Sequence, residues 1–185
     1  MSNTSIPADP ARPRSAPLVF GRLLILVALL AIVSRAGDKP LVPVANFDLT
    51  RYVGVWHEIA RLPAWFEKNL DSVTATYSLR SDGKVRVVNE GSRGGKHSRS
   101  VGRAKFAGRS DVGALRVSFF GPFFGDYKII DLDSAHYAWA LVASDRKFLW
   151  ILSRTPTLDP AVVHKLAGHA AELGFDTGKL YFTKQ

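Results

Sequence analysis

Catalysis and metal binding need nucleophiles, bases or ligands at fixed spacings, and in this chain such residues are scattered. The five histidines stand at 57, 97, 136, 164 and 169. His164 and His169 are five apart, which does not put them on one ligand-bearing helix face. There is no cysteine, so a thiolate metal site, a cysteine nucleophile and a disulfide framework are excluded. No His-Glu-x-x-His occurs, and the glycine-rich stretch 91–95 joins two strand-like runs without a following helix, as a flexible hairpin does. No catalytic residue, metal ligand or cofactor is expected. What remains is the chemistry of burial, in aromatic residues and a few isolated charges. Glu58 is one of these, because a carboxylate among apolar neighbours is costly unless paired or protonated. It serves either as an anchor for water or a ligand's polar group, or as a buried structural acid.

The elements that must position these residues are short and β-rich. Eight runs, at 52–61, 72–80, 84–91, 98–107, 112–120, 126–132, 137–143 and 147–154, are separated by Gly, Asp and Ser turns. Val73, Ala75, Tyr77 and Leu79 alternate with Thr74, Thr76 and Ser78, the period-2 pattern of a sheet with one apolar face. The period then changes. Thr157 or Asp159 can cap a helix that starts at Pro160, carries Val162, Val163, Leu166, Ala170 and Leu173 at helical spacing, and stops at Gly174. Residues 180–182 follow as a short final strand. The expected fold is all-β, an eight-stranded antiparallel up-and-down barrel with one C-terminal α-helix packed outside. A β-sandwich is the structural alternative, but only the barrel has room for a small ligand.

The chain of 185 residues is long enough for one domain, and 25 Lys and Arg against 16 Asp and Glu make it basic. Part of that charge belongs to a leader. Residues 1–22 are polar with Arg12, Arg14 and Arg22, residues 23–33 are unbroken apolar, and Ser34-Arg35-Ala36 follows. This is the order of a secretory signal peptide, or, counted from residue 18, of an N-terminal membrane anchor. The expected organisation is a leader at 1–36, a proline-containing linker at 37–45 and one domain at 46–185. Basic residues beside aromatics could also describe a nucleic-acid-binding barrel. The strand count and the leader argue against it, and no nucleic acid partner is expected.

Three short stretches are more specific. Gly54-Val55-Trp56 opens the first strand, Asp133-Ser134-Ala135-His136-Tyr137 turns between the sixth and seventh, and Ser153-Arg154-Thr155-Pro156 ends the eighth. In an up-and-down barrel the start of the first strand and the end of the eighth share one end. Trp56 can plug that end while Arg154 lies across its ring, a cation–π contact. With Ser118-Phe119-Phe120-Gly121-Pro122-Phe123 and Leu149-Trp150-Ile151-Leu152, these pieces resemble the lipocalin family, and within it the bacterial outer-membrane lipocalins related to apolipoprotein D. The resemblance spans residues 46–182. It implies storage or transport of fatty acids, lysophospholipids or similar amphiphiles at the bacterial envelope, by a monomer or weak homodimer. Gly54, Trp56, Tyr137 and Arg154 would be its structural motif. A lipocalin-fold enzyme acting on a small hydrophobic substrate is the alternative. The chain departs from the pattern at His136, where the family carries an acidic residue, and in lacking the cysteine of the subgroup's lipid-attachment box. The expected location is therefore the periplasm or outer membrane without a cysteine lipid anchor, or attachment through residues 18–33.

Parity with Trp56 and Arg154 assigns facing. Glu58 and Ala60 share the face of Trp56. Tyr77, Val85, Val87, Leu115, Val117, Phe119, Trp139, Leu141, Phe148 and Trp150 are the other expected inward residues, provided that no bulge intervenes. The loops at 62–70, 91–97, 121–125 and 144–146 fall at the open end. They bring Trp65, Phe66, Phe123 and Phe124 together with Lys68, Arg93, Lys96 and Arg146, a mouth suited to amphiphiles with an anionic head and open to a membrane surface.

Overall fold

Glycine- and aspartate-bearing turns reverse the chain after each run of alternating side chains, and consecutive runs pair antiparallel. The computed structural model describes residues 39–185, so the expected leader lies outside the described residues. The strands are β1 (Gly54–Arg61), β2 (Leu70–Leu79), β3 (Val85–Arg93), β4 (Lys96–Phe106), β5 (Ala114–Ser118), β6 (Gly125–Leu132), β7 (Trp139–Ser144), β8 (Phe148–Ser153) and β9 (Tyr181–Phe182). A short helix α1 (Leu49–Tyr52) precedes β1, and α2 (Pro160–Glu172) follows β8. The sheet runs from β2 through β8 in sequence order, then to β1 and β9, and a β1–β2 pairing closes it. The barrel, not the sandwich, is the fold.

The residues of 37–45 that are described are not a loose tether. The Val44 amide donates to Ile129 O at 2.9 Å, its carbonyl accepts from the Gly113 amide at 2.8 Å, and Ala45 bridges Val112. Helix α2 begins as its sequence dictates. Asp159 accepts from the Ala161 amide at 2.8 Å, Pro160 occupies the first turn where an amide proton has no partner, and Gly174 continues past the end at φ +90°.

Two apolar layers result. Inside the barrel lie Phe47, Tyr52, Trp56, Tyr77, Val85, Val87, Ala104, Ala140, Val142 and Leu152. Outside, Ile59, Ala60, Leu141, Ala143, Leu149 and Ile151 pack with Leu166 and Ala170 of α2 and with Phe175. The outer layer corrects three facing assignments. Pairing of β1 with β8 slips between Glu58 and Ala60, so Ala60 stands opposite Ile151 on the outside and Arg61 opposite Trp150 on the inside. Leu141, fully buried, also stands opposite Ile151 and packs in the layer beneath α2. Trp139, opposite Ser153 and partly buried, packs against the same layer, with Lys165 Nζ 4.6 Å from its ring centroid. Their neighbours Ala140 and Val142 are the residues of β7 that point inward.

Candidate functional site

The closed end is built from the two ends of the barrel's chain. Arg154 Cζ sits 3.9 Å from the centroid of the Trp56 ring, which is fully buried. Its guanidinium donates to Val55 O (2.9 Å), Arg51 O (2.7 Å), Tyr52 O (3.1 Å) and Tyr137 O (3.3 Å). One side chain thus collects carbonyls left over at the C-terminal turn of α1 and the start of β1. Trp56 Nε1 donates to Tyr52 O at 2.8 Å. Gly54 has φ +102°, and a Cβ there would sit 3.2 Å from Arg154 Nη1, so a side chain would be strained and would crowd the guanidinium. The His136 turn is held by Asp133, whose carboxylate accepts from the amides of His136 (3.2 Å) and Ala138 (3.3 Å). Tyr137 follows at φ +56°, and its hydroxyl accepts from the Asp48 amide at 2.9 Å. Over its ring lies Arg51, at 4.1 Å.

Above this plug three tyrosines form the floor of the interior. Tyr127 Oη lies 2.7 Å from Tyr52 Oη and 2.8 Å from Tyr77 Oη. Burial pushes the Tyr77 hydroxyl up to about 12 and the other two well above the ordinary tyrosine value, so all three stay protonated. Val85 and Val87 are buried beside them. Leu115, also buried, stands opposite Phe106 and Tyr127 in register. Higher up, Val117, Phe119 and Trp150 pack against this layer but remain only partly buried; near the plug, Ala75 opposite Trp56 and Phe106 against Phe47 are partly buried as well. Phe148 stacks on Trp150 at 6.1 Å and meets Phe66 at 5.3 Å. Asn89, opposite Ala75, keeps a buried Oδ1 with no hydrogen-bond partner among the described residues.

Glu58 belongs to a buried polar cluster that the bulge creates. With Arg61 turned inward, its guanidinium bonds Glu58, Thr183 Oγ1 (3.1 Å), and the carbonyls of Glu67 (2.8 Å) and Leu70 (3.1 Å). Thr183, just past β9, also donates to Glu58 Oε1 at 2.5 Å. Glu67, in the 3₁₀ turn Trp65–Glu67, receives Trp150 Nε1 at 3.1–3.2 Å on its two oxygens. Burial, reinforced by the nearby charge of Glu58, pushes the Glu67 carboxyl up to about 7; Trp150 and Arg61 oppose the shift. Sequence reading missed Arg61, Glu67, Thr183, Tyr52 and Tyr127. The bulge that turns Arg61 has no marker in the sequence, and Thr183 arrives from the far end of the chain.

At the open end the expected mouth residues separate. Trp65 is 83% exposed and Phe123 78% exposed, and Phe66 is partly so. Lys68, Lys96 and Arg93 are exposed there too, and Arg93 donates to Phe66 O at 3.0 Å. Two residues leave the group. Arg146 donates to the carbonyls of Leu173 and Lys39 and lies over Phe175, so it ties the β7–β8 turn to the end of α2. Phe124 lies beside Arg103 and Lys105 on the outer wall, with its carbonyl bonded by Arg116. Among the described residues no three His, Cys, Asp or Glu side chains stand together as a metal site, and no helix is long and apolar enough to cross a membrane.

A closed antiparallel barrel, plugged by a tryptophan under an arginine at one end and only partly filled toward the other, defines the calyx class of ligand-binding proteins. Residues 47–185 match the lipocalin-like domain model. The chain is 45% identical over 174 residues to outer membrane lipoprotein Blc of Escherichia coli K12, covering 89% of this chain and 98% of that protein. To the protein of the same name in Vibrio cholerae it is 39% identical over 165 residues, covering 88% and 96%, and to mouse apolipoprotein D 35% over 159 residues, covering 80% and 83%. Insecticyanin of Manduca sexta shares the fold, with a TM-score of 0.67 at 24% identity over 80% of this chain and 85% of that one. The chain belongs to the lipocalin family. The relatives' names also correct the expected location. The bacterial ones among them are named outer membrane lipoproteins, which supports an exported protein of the envelope and overturns the expectation of one without a lipid anchor.

Proposed function

We propose that the protein takes up a hydrophobic or amphiphilic lipid, such as a fatty acid or lysophospholipid, in the barrel and carries it at the bacterial envelope. The observation that carries this reading is the gradient of filling. Near the closed end Tyr52, Tyr77, Val85, Val87 and Leu115 are buried, whereas inward-facing Val117, Phe119, Phe148 and Trp150 keep part of their surface uncovered. An acyl chain entering there removes that apolar surface from water, at about 0.8 kcal/mol per buried CH₂. Tyr77, Val85, Val87 and Leu115 frame the bottom of the site, Glu58 lies above them in its cluster with Arg61, and Asn89 Oδ1 offers an acceptor to a ligand hydroxyl. Residues 1–36 act as the export leader. The protein is a carrier rather than an enzyme and works as a monomer or weak homodimer. It meets membrane lipid with its open end, where Trp65, Phe66 and Phe123 can enter the headgroup region. Native mass spectrometry of the purified protein tests the central point. Co-purified or added lysophospholipid should bind at one equivalent, and Trp150→Ala should weaken it at least tenfold; a chain that takes up no amphiphile overturns the reading.

A further inference from the structure

On the outer wall of β3, β4 and β5 the register sets like charges face to face. Arg86 stands directly opposite Arg103, and Lys105 directly opposite Arg116. All four are exposed. Like charges directly opposite destabilise an antiparallel pair, and here two such pairs are adjacent. Several other exposed cations have a carboxylate partner, as in Arg80–Asp82, Arg99–Glu90 and Lys179–Asp176. Among the described residues Arg86, Arg103 and Lys105 have no carboxylate within 4.0 Å, and Arg116 reaches Asp126 only at 4.0 Å.

The loop after β5 completes the patch. Arg116 donates to Phe124 O at 3.1 Å, and the Phe124 ring lies 5.4 Å from Arg103 Cζ and 4.9 Å from Lys105 Nζ. A cleft of about 270 Å³ is left between Phe124, Arg103, Lys105 and Lys84. On the same loop Phe120 and Phe123 are 80% and 78% exposed. Unmatched cations beside exposed aromatic rings have the chemistry of a surface that meets phosphate below and hydrocarbon above.

We propose that this wall is an anionic-lipid docking face, in which Arg86, Arg103 and Lys105 bind headgroup phosphates while Phe120 and Phe123 enter the interface. The proposal rests on the reading that the protein meets membrane lipid. It adds the chemical selectivity, which is for anionic phospholipid, and places the phosphate-binding cations on the outer wall rather than in the mouth or the barrel. The repulsion built into the sheet is relieved when the phosphates arrive.

The test uses the full chain and its Arg86→Gln/Arg103→Gln/Lys105→Gln variant, which keeps Arg116 to hold the loop. Binding is measured to phosphatidylcholine vesicles and to vesicles containing phosphatidylglycerol, with free pyrophosphate as competitor, and uptake of a fluorescent fatty acid is measured without vesicles. Attraction of each cation to an anionic surface predicts that the variant loses on the order of 100-fold in binding to phosphatidylglycerol vesicles. Its binding to phosphatidylcholine and its fatty acid uptake should stay unchanged, and its thermal midpoint should rise because the repulsion is gone. Equal phosphatidylglycerol binding by variant and parent overturns the proposal, as does a parent protein that binds neither vesicle. Pyrophosphate that displaces the protein at matched phosphate concentration overturns the lipid assignment in favour of a soluble phosphate ligand. A parent that binds phosphatidylglycerol through these cations yet takes up no fatty acid leaves the docking face standing and removes the carrier function.

Discussion

Arg154 and Glu67 are both charged groups set against apolar surroundings, and they resolve the conflict in opposite ways. Arg154 stays ionised because four backbone carbonyls and the Trp56 face replace its water. Trp56→Ala should destabilise the protein by roughly 3–5 kcal/mol, the usual loss for a buried large aromatic. A double-mutant cycle with Arg154→Ala should show coupling of about 1 kcal/mol; independent effects in denaturant titration would mean that the ring contact contributes nothing. Glu67 instead is pushed toward its protonated form. Its carboxyl rises from the unfolded value of 4.5 to about 7, mainly through burial and then through the charge of Glu58. Between these values the folded state binds a proton that the unfolded state has released, so stability falls as pH rises from about 4.5 to about 7 and then levels off. The span corresponds to about 3 kcal/mol as an upper figure. Glu67→Gln should flatten this part of the stability–pH profile while retaining an acceptor for Trp150. A profile that falls as steeply in the variant would place the titration elsewhere.

At the scale of elements, the register slip in β1 decides what the upper barrel contains. It turns Arg61 inward, where Glu58, Glu67 and Thr183 surround it. The tail after β9 lies between β1 and β2. Ala60 pairs with Phe182, the Thr183 amide donates to Ile59 O at 3.0 Å, and the Ser72 amide donates to Lys184 O at 2.6 Å. Thr183→Val should therefore cost about 1.5–3 kcal/mol, because it removes hydrogen bonds to buried charged groups while keeping the shape. Unfolding in urea measures this, and a loss below about 0.5 kcal/mol would show that Glu58 and Arg61 are satisfied without the hydroxyl. Strand count, the helix cap at Asp159 and the Trp56–Arg154 plug were legible because each depends on local spacing or on strand alternation. Trp139, Leu141 and Ala60 were not. Apolar layers bury β7 on both faces, one inside the barrel and one under α2, so the polar alternation that reports facing is absent. At Ala60 the bulge reverses parity without leaving a signal in residue type. Arg146 and Phe124 escaped for a different reason. Loop position was read correctly, but a long or flexible side chain can leave its loop for the nearest carbonyl or cation.

The whole molecule is polar in its functions, with a sealed end, an apolar lower interior and a cationic open rim. After Arg146 is assigned to α2, the rim cations expected from sequence are Lys68, Arg93 and Lys96. They stand in exposed loops, so each acts through solvent and should contribute only tenths of a kcal/mol. Their field extends about 8 Å at physiological salt, far enough to cover a headgroup at the mouth but not the chain below it. Replacing all three with Gln should therefore weaken binding of a fatty acid more than binding of the corresponding alcohol. The difference should be a few-fold and should shrink as salt rises, because only the carboxylate feels the rim while both ligands bury the same hydrocarbon. Titration calorimetry with the acid and alcohol at two salt concentrations separates the two contributions. Equal losses for both ligands would mean that the substitutions disturbed the Phe66 loop, which Arg93 holds by its carbonyl. No loss for either would mean that burial of the chain alone sets affinity.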